Sequence, residues 1–196
     1  MNTYPPEPRR RGGRPSPATR NGDSTQSPPA DPVSQAREIC LRLLTVRPRT
    51  RAELHTTLLR RGIEADVADQ VLGRLNEVGL VDDASFAEQW VRSRHTHQGI
   101  GRRALAAELR RKGVADPLAA EAVAAVDSES EEARARDLVR KRLRAMTSVD
   151  ELTAIRRLVN MLARKGYTEG MSYRVVREEL RASGSDTTLL DVPDSD

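Results

Sequence analysis

The chain has 196 residues, of which 37% are apolar and 32% charged, and its 33 lysines and arginines against 29 acidic residues give a net charge of +4. No apolar run approaches the length of a bilayer span and the N-terminus lacks an apolar signal core, so we expect neither an integral membrane protein nor a secretory signal. The single cysteine, Cys40, cannot form an internal disulfide and suits a reducing cytoplasm. Aromatic residues make up only 3%, while strong helix formers dominate, so the composition predicts an all-α fold.

The two ends of the chain differ in composition from its centre. Residues 1–34 hold eight of the eleven prolines together with five arginines, and such a segment cannot bury enough apolar surface to fold. Residues 184–196 carry four aspartates and no base. We therefore predict a disordered Pro/Arg-rich N-terminal tail and a short acidic disordered C-terminal tail. The N-terminal arginines could bind nucleic acid, but a solvated tail without a fixed partner is the interpretation that this composition favours.

The first predicted helices form a unit over residues 35–81. Apolar residues at helical spacing define three helices, which end at Pro48, Gly62 and Gly79. Thr50 is suited to cap the second helix. Glycine suits a helix C-terminus because it adopts the left-handed backbone conformation without strain.

The second helix of this unit returns twice along the chain. Gly62, Gly113 and Gly166 lie roughly 50 residues apart, and each has leucine four and eight residues before it, a basic pair directly before it and apolar residues one, nine and ten after it. Leucines at i and i+4 bury one helix face, and the final bases suit the negative end of the helix dipole. We therefore predict about nine helices in three tandem three-helix repeats that form an elongated, curved stack. The predicted repeats span 35–81, 82–127 and 128–183.

Catalytic and cofactor-binding patterns are sparse. His95 and His97 are two residues apart and point to different faces of a helix, so they cannot chelate one metal ion. The turn Gly99–Gly101 precedes a helix but lacks the third glycine and the lysine of a phosphate-binding loop, so a joint between helices is the better interpretation. We expect no enzyme activity, no cofactor and no bound metal.

Basic residues concentrate on the three second helices, which occupy equivalent places in the predicted stack. Arginines along one edge suit a long polyanion or an acidic protein filament. The alternative is that arginine near a helix C-terminus merely complements the dipole. The predicted partner-binding residues are Arg102, Arg103, Arg110, Arg111, Lys112, Arg156, Arg157, Arg164 and Lys165.

The chain's only phenylalanine and tryptophan, Phe86 and Trp90, are one helical turn apart. Side chains at this spacing share a helix face. We predict that they pack at the junction between the first two repeats rather than against a partner.

Three segments carry a resemblance to a known family. The stretches GLVDDASFAEQWVRSR (79–94), GIGRRALAAELRRKGV (99–114) and RRLVNMLARKGY (156–167) resemble, in order and spacing, the RecX family of bacterial regulatory proteins that modulate the recombinase RecA. The resemblance covers about 36–182. It implies a helical protein that binds RecA and its filament on single-stranded DNA and restrains recombinase, ATPase and coprotease activity in DNA repair and the SOS response. We accordingly expect a cytoplasmic monomer with no membrane partner.

The alternative function is a helix-turn-helix-like regulator that acts directly on DNA. Its weakness is that the third helices hold few bases, with Arg74 alone in 64–78 and none in 116–126. A helix in the major groove normally presents basic or amide side chains to base edges. We therefore expect DNA binding, if it occurs, to be weak and nonspecific. A scaffold function without nucleic acid is the third possibility.

Overall fold

The computed structural model describes residues 31–146 and 149–184, and these fold into nine α-helices with no strand among them. The all-α fold of three three-helix repeats is thereby confirmed, while the elongation and curvature of the stack stay predictions. The helices are α1 Pro32–Val46, α2 Arg51–Arg60, α3 Ala65–Glu77, α4 Asp83–Gln98, α5 Arg102–Arg111, α6 Asp116–Ala124, α7 Ser128–Leu143, α8 Glu151–Arg164 and α9 Glu169–Ala182.

Each repeat has its own apolar core. The paired leucines of the second helices α2, α5 and α8 are 0% exposed and lie at the centre of the three cores, as their spacing predicts. Burying one such side chain stabilises a fold by about 1.5–3 kcal/mol, so these positions are a principal source of stability. The six leucines are Leu54, Leu58, Leu105, Leu109, Leu158 and Leu162.

Helix α1 begins earlier than the sequence predicts, and α8 is longer than the other two second helices. Helix α1 begins at Pro32, inside the segment 1–34 that was predicted as disordered, because Asp31 accepts a backbone hydrogen bond as N-cap and proline is favoured in the first helical turn. Helix α8 has 14 residues against 10 in α2 and α5, because Asp150 caps an additional first turn. The rest of the predicted N-terminal tail, and residues 185–196 of the acidic tail, lie outside the described residues.

All three second helices end in the same way. Gly62, Gly113 and Gly166 have φ values of +81°, +78° and +88°, in the left-handed region that the sequence pattern predicted. In each case the residue after the glycine donates its backbone N–H to the carbonyl five positions back, at 3.1, 3.1 and 3.2 Å. This closes the helix in a Schellman motif and directs the next side chain, Ile63, Val114 or Tyr167, into the core.

The C-terminus of α5 abuts the N-terminus of α2 and joins the first two repeats. The hydroxyl of Thr50, the N-cap of α2, donates to the carbonyl of Lys112 at 2.6 Å. Asp83, at the start of α4, accepts the backbone N–H of Arg51 at 2.9 Å. A carboxylate of the second repeat therefore binds a first-turn amide of α2 that has no partner within its own helix.

The second and third repeats are joined by equivalent hydrogen bonds. The backbone N–H of Gly101, the N-cap of α5, donates to the carbonyl of Lys165 at the end of α8, at 2.8 Å. Glu131 of α7, which is only 5% exposed, accepts the N–H of Arg102 at 2.8 Å. The helices α8, α5 and α2 therefore follow one another end to end, with the negative dipole end of one against the positive end of the next.

Tyr167 forms an additional hydrogen bond across the second junction, and the side chain of the equivalent residue at the first junction, Val114, cannot form one. The Tyr167 ring is 2% exposed, and its hydroxyl donates to the carbonyl of Gly99 at 3.1 Å. Burial, and secondarily the nearby charge of Glu131, raises the pKa of Tyr167 above its ordinary value. The phenol consequently stays protonated and remains a donor across the second junction.

The two junctions depend on the missing side chain of their glycines. A Cβ on Gly113 would overlap the Cβ of Ala52, and one on Gly166 would overlap the Cβ and backbone nitrogen of Ala104. Gly62 ends α2 in the same conformation but has no neighbouring atom within 4 Å of the equivalent position. Gly62 is thus needed for its backbone conformation alone, whereas Gly113 and Gly166 also allow helix ends to touch.

We predict that Gly166→Ala destabilises the protein more than Gly62→Ala does. Both variants place alanine in the left-handed region, which lowers the free energy of unfolding by about 1–2 kcal/mol. Gly166→Ala should cost a further 1–3 kcal/mol, roughly the effect of overpacking, because the new methyl group meets Ala104. Urea denaturation measures the free energy of unfolding of both variants. Equal decreases in the two would contradict the close contact between Gly166 and Ala104.

Candidate partner-binding groove

Two adjoining clefts lie along α8 and share Asn160 and Arg164. The first, of about 380 Å³, is also lined by Arg142 and Arg157. The second, of about 570 Å³, reaches the N-terminal turn of α5 and the start of α9. We call this surface the α8 groove and define it by Arg103, Arg142, Arg157, Asn160, Arg164 and Tyr173.

The groove follows from the helical periodicity of α8 and from the second junction. Leu158 and Leu162 bury one face of α8 in the core, so Arg157, Asn160 and Arg164, at i, i+3 and i+7, share the opposite, exposed face. Arg103 belongs to the repeat before, and it lines the groove because the first turn of α5 abuts the end of α8.

The positive charge of the groove is only weakly offset by the acidic side chains that the structure describes. Within the described residues, the arginines at 103, 142, 157 and 164 form no ion pair, whereas Arg110 on the same α5 pairs with Asp116 at 2.7 Å. Glu169 is the one acidic residue among the groove's lining side chains. Guanidinium groups bind carboxylates and phosphates through paired hydrogen bonds, so the surface is suited to an anionic partner.

The structure brings three of the nine predicted residues together in this groove: Arg103, Arg157 and Arg164. Arg102 contributes its backbone N–H to the second junction. Arg111 and Arg156 are exposed but lie outside the clefts. The predicted basic residues therefore do not form one continuous edge. Three line the groove, one forms an ion pair, others lie at the junctions, and two are exposed outside the clefts.

The two predicted lysines bind protein groups at the junctions. Lys112 Nζ lies 2.9 Å from Glu53 Oε1 and 4.2 Å from the ring centroid of Trp90. Burial alone would raise the pKa of Glu53, but hydrogen bonds from Lys112 and Arg47 hold it below its usual value. Lys165 Nζ donates to the carbonyl of Gln98 at 2.6 Å, and burial lowers its pKa.

Phe86 and Trp90 lie next to the first junction. Phe86 is 6% exposed and stacks on Trp90 with ring centroids 5.8 Å apart. The indole N–H of Trp90 donates to Glu108 at 2.9 Å. A hydrogen bond from Arg94 is the main cause that lowers the pKa of Glu108, so this carboxylate is ionised at neutral pH. Trp90 is thus linked to the first repeat through Lys112.

Three groove residues were absent from the sequence prediction: Arg142, Asn160 and Tyr173. Asn160 could have been predicted from the sequence, because it lies three residues after Arg157 and therefore shares its helix face. Arg142 and Tyr173 belong to α7 and α9, and only the packing of these helices around α8 brings them to the groove. The Tyr173 side chain is 44% exposed, which leaves part of its ring open to a partner.

The described residues show no other chemical site. In that part of the chain, no group of three or more His, Cys, Asp or Glu side chains could hold a metal ion. The Nδ1 atom of His95 lies 3.0 Å from the carbonyl of Ile100 and so has a structural partner. None of the helices within 31–146 and 149–184 has the length and apolarity that crossing a membrane requires.

Comparison with known proteins identifies relatives over most of the chain. Models of the first, second and third three-helix domains of RecX match residues 36–75, 82–123 and 129–176. The regulatory protein RecX of Amycolatopsis mediterranei (strain U-32) is 56% identical over 164 residues, covering 84% of this chain and 94% of that protein. RecX of Streptomyces coelicolor is 52% identical over 181 residues, covering 89% and 96%.

A solved structure shares the fold. The crystal structure of RecX from Lactobacillus salivarius superposes with a TM-score of 0.69 at 21% identity, covering 76% of this chain and 97% of that one. At this identity the likeness concerns the arrangement of helices.

We predict that the two adjacent bases at the C-terminal end of α5 differ sharply in their effect on stability. Lys112→Ala should cost about 1–2 kcal/mol, because it removes a cation–π contact and a half-buried ion pair. Arg111→Ala, at an exposed position, should change stability by less than about 0.5 kcal/mol. Thermal unfolding followed by Trp90 fluorescence measures both. A Lys112 variant as stable as the Arg111 variant would refute the junction role of the ammonium group.

Proposed function

The chain belongs to the RecX family of regulatory proteins, and from this premise we propose that it binds RecA and the RecA filament on single-stranded DNA through the α8 groove. Bound there, it inhibits recombinase, ATPase and coprotease activity in DNA repair and the SOS response. It acts in the cytoplasm as a monomer and as a regulator, without catalysis of its own. The observation that supports this proposal is a groove across two repeats whose arginines form no ion pair with any described residue.

The chemistry of the groove fits a filament of protein and DNA. Such a filament offers phosphates and acidic side chains, and guanidinium groups bind both. Ionic contacts of this kind are screened by salt, so the interaction weakens as ionic strength rises. Three repeats in series can contact more than one RecA protomer, so we expect inhibition below one copy per protomer.

Direct contact with single-stranded DNA is a second candidate, supported by Tyr173. An exposed ring among arginines can stack on an unpaired base while the arginines bind its phosphates. Major-groove reading by the third helices of the first two repeats is less well supported, because α3 carries Arg74 alone and α6 carries no basic residue. If DNA is contacted, the α8 groove is therefore the surface we propose.

We predict that the combined variant Arg103→Glu, Arg157→Glu and Arg164→Glu loses inhibition of the RecA ATPase. The concentration needed for half inhibition should rise by about tenfold or more, because even one charge-assisted hydrogen bond contributes about 1.5–3 kcal/mol. The matched control is Arg60→Glu, Arg61→Glu and Arg92→Glu, which makes the same charge change at exposed positions outside the groove.

Circular dichroism checks that both variants keep their helices. Inhibition weakened equally by the two sets would mean that net charge, and not the groove, governs binding. Unchanged inhibition by the groove variant would place the RecA-binding surface elsewhere. Titration of each variant with a labelled oligo(dT) strand, without RecA, measures the direct DNA contact separately.

A further inference from the structure

The C-terminal segment of the chain is negatively charged, whereas the α8 groove is positively charged. Residues 185–196, which lie outside the described residues, contain four aspartates and no lysine or arginine. Among the described residues, the groove presents four arginines without an ion pair and a single acidic residue, Glu169. One chain therefore contains both an anion-binding surface and an anionic segment.

The segment begins within reach of the groove. Tyr173 lines the groove, and α9 continues from it for nine residues to Ala182, a length of roughly 14 Å at the helical rise. A segment as long as 185–196 spans up to about 40 Å when extended. It can therefore reach the groove of its own chain without displacement of any helix.

Three arginines between the neighbouring helices α7 and α9 already form ion pairs. Between α7 and α9, Arg140 pairs with Glu179 at 2.7 Å, and Arg174 pairs with Glu132 at 2.5 Å. Arg136 binds Glu132 and Glu178, both at 2.5 Å. The α8 groove, by contrast, brings together four arginines with no ion pair to a described residue, so it offers an acidic segment several partners at once.

We propose that residues 185–196 bind in the α8 groove of the same chain and compete with its anionic partner. The inference rests on the proposed function of the groove. Each aspartate–arginine contact is exposed and weak, but the tether gives the segment a high effective concentration, so it occupies the groove until a longer polyanion displaces it. The segment thereby sets a threshold for partner binding and makes binding less dependent on salt, because its own contacts with the groove also weaken as salt rises.

The test replaces the four acids in the full-length chain: Asp186→Asn, Asp191→Asn, Asp194→Asn and Asp196→Asn. This tail variant should bind labelled oligo(dT) about fivefold more tightly than the wild type at low salt, because a competitor at high effective concentration is removed. The difference should vanish at high salt, where ionic contacts are screened.

A matched control separates competition from net charge. The variant Glu38→Gln, Glu64→Gln, Asp66→Asn and Glu77→Gln removes four exposed acids from the first repeat. It makes the same change in net charge as the tail variant but should leave oligo(dT) affinity close to that of the wild type. An equal increase in oligo(dT) affinity in both variants would overturn the proposal.

Nuclear magnetic resonance without any ligand tests the contact itself. Shift differences between wild type and tail variant should map to Arg103, Arg157, Arg164 and Tyr173. Differences confined to the tail would overturn the proposal whatever the binding data show. If the shifts map to the groove but no variant binds oligo(dT) or inhibits RecA, the proposed function fails while the contact stands.

Discussion

The close approach of helix ends at Gly113 and Gly166 is the constraint on which this structure depends. At each site the missing Cβ lets the first turn of one second helix touch the last turn of the next. The touching ends are opposite in dipole, and Asp83 and Glu131 bind the first-turn amides that would otherwise lack a partner. Three small cores are thereby joined without a large apolar interface between them.

The same constraint divides the basic residues into two classes. Lysines directly before the junction glycines are half-buried, and their ammonium groups bind protein oxygens and an aromatic ring. The groove arginines, by contrast, project from α7, from the free face of α8 and from the turn of α5 that abuts it. Structural charge and the proposed partner-binding charge therefore lie side by side at the second junction, where Lys165 binds a protein carbonyl while the groove arginines form no ion pair with a described residue.

The repeat architecture could be predicted from the sequence because local chemistry determines it. Leucine spacing, the basic pair and the glycine stop each act within one helix, and all three copies carry them. What the sequence did not disclose was the second role of Gly113 and Gly166, since Gly62 has the same local pattern with no neighbour. The groove was predicted only in part for the same reason: Arg103 was predicted from charge, but its position beside Arg157 and Arg164 depends on a contact between repeats.

Hydrogen exchange at the first-turn amides of α5 tests the end-to-end arrangement most directly. First-turn amides have no partner within their own helix, so slow exchange at Gly101 and Arg102 requires the carbonyl of Lys165 and the carboxylate of Glu131. Ala65 and Asp66, which begin α3 without a side-chain cap, are the internal reference. We expect strong protection at Gly101 and Arg102 and fast exchange at the reference amides; equally fast exchange at all four would contradict the end-to-end contact of α8 and α5.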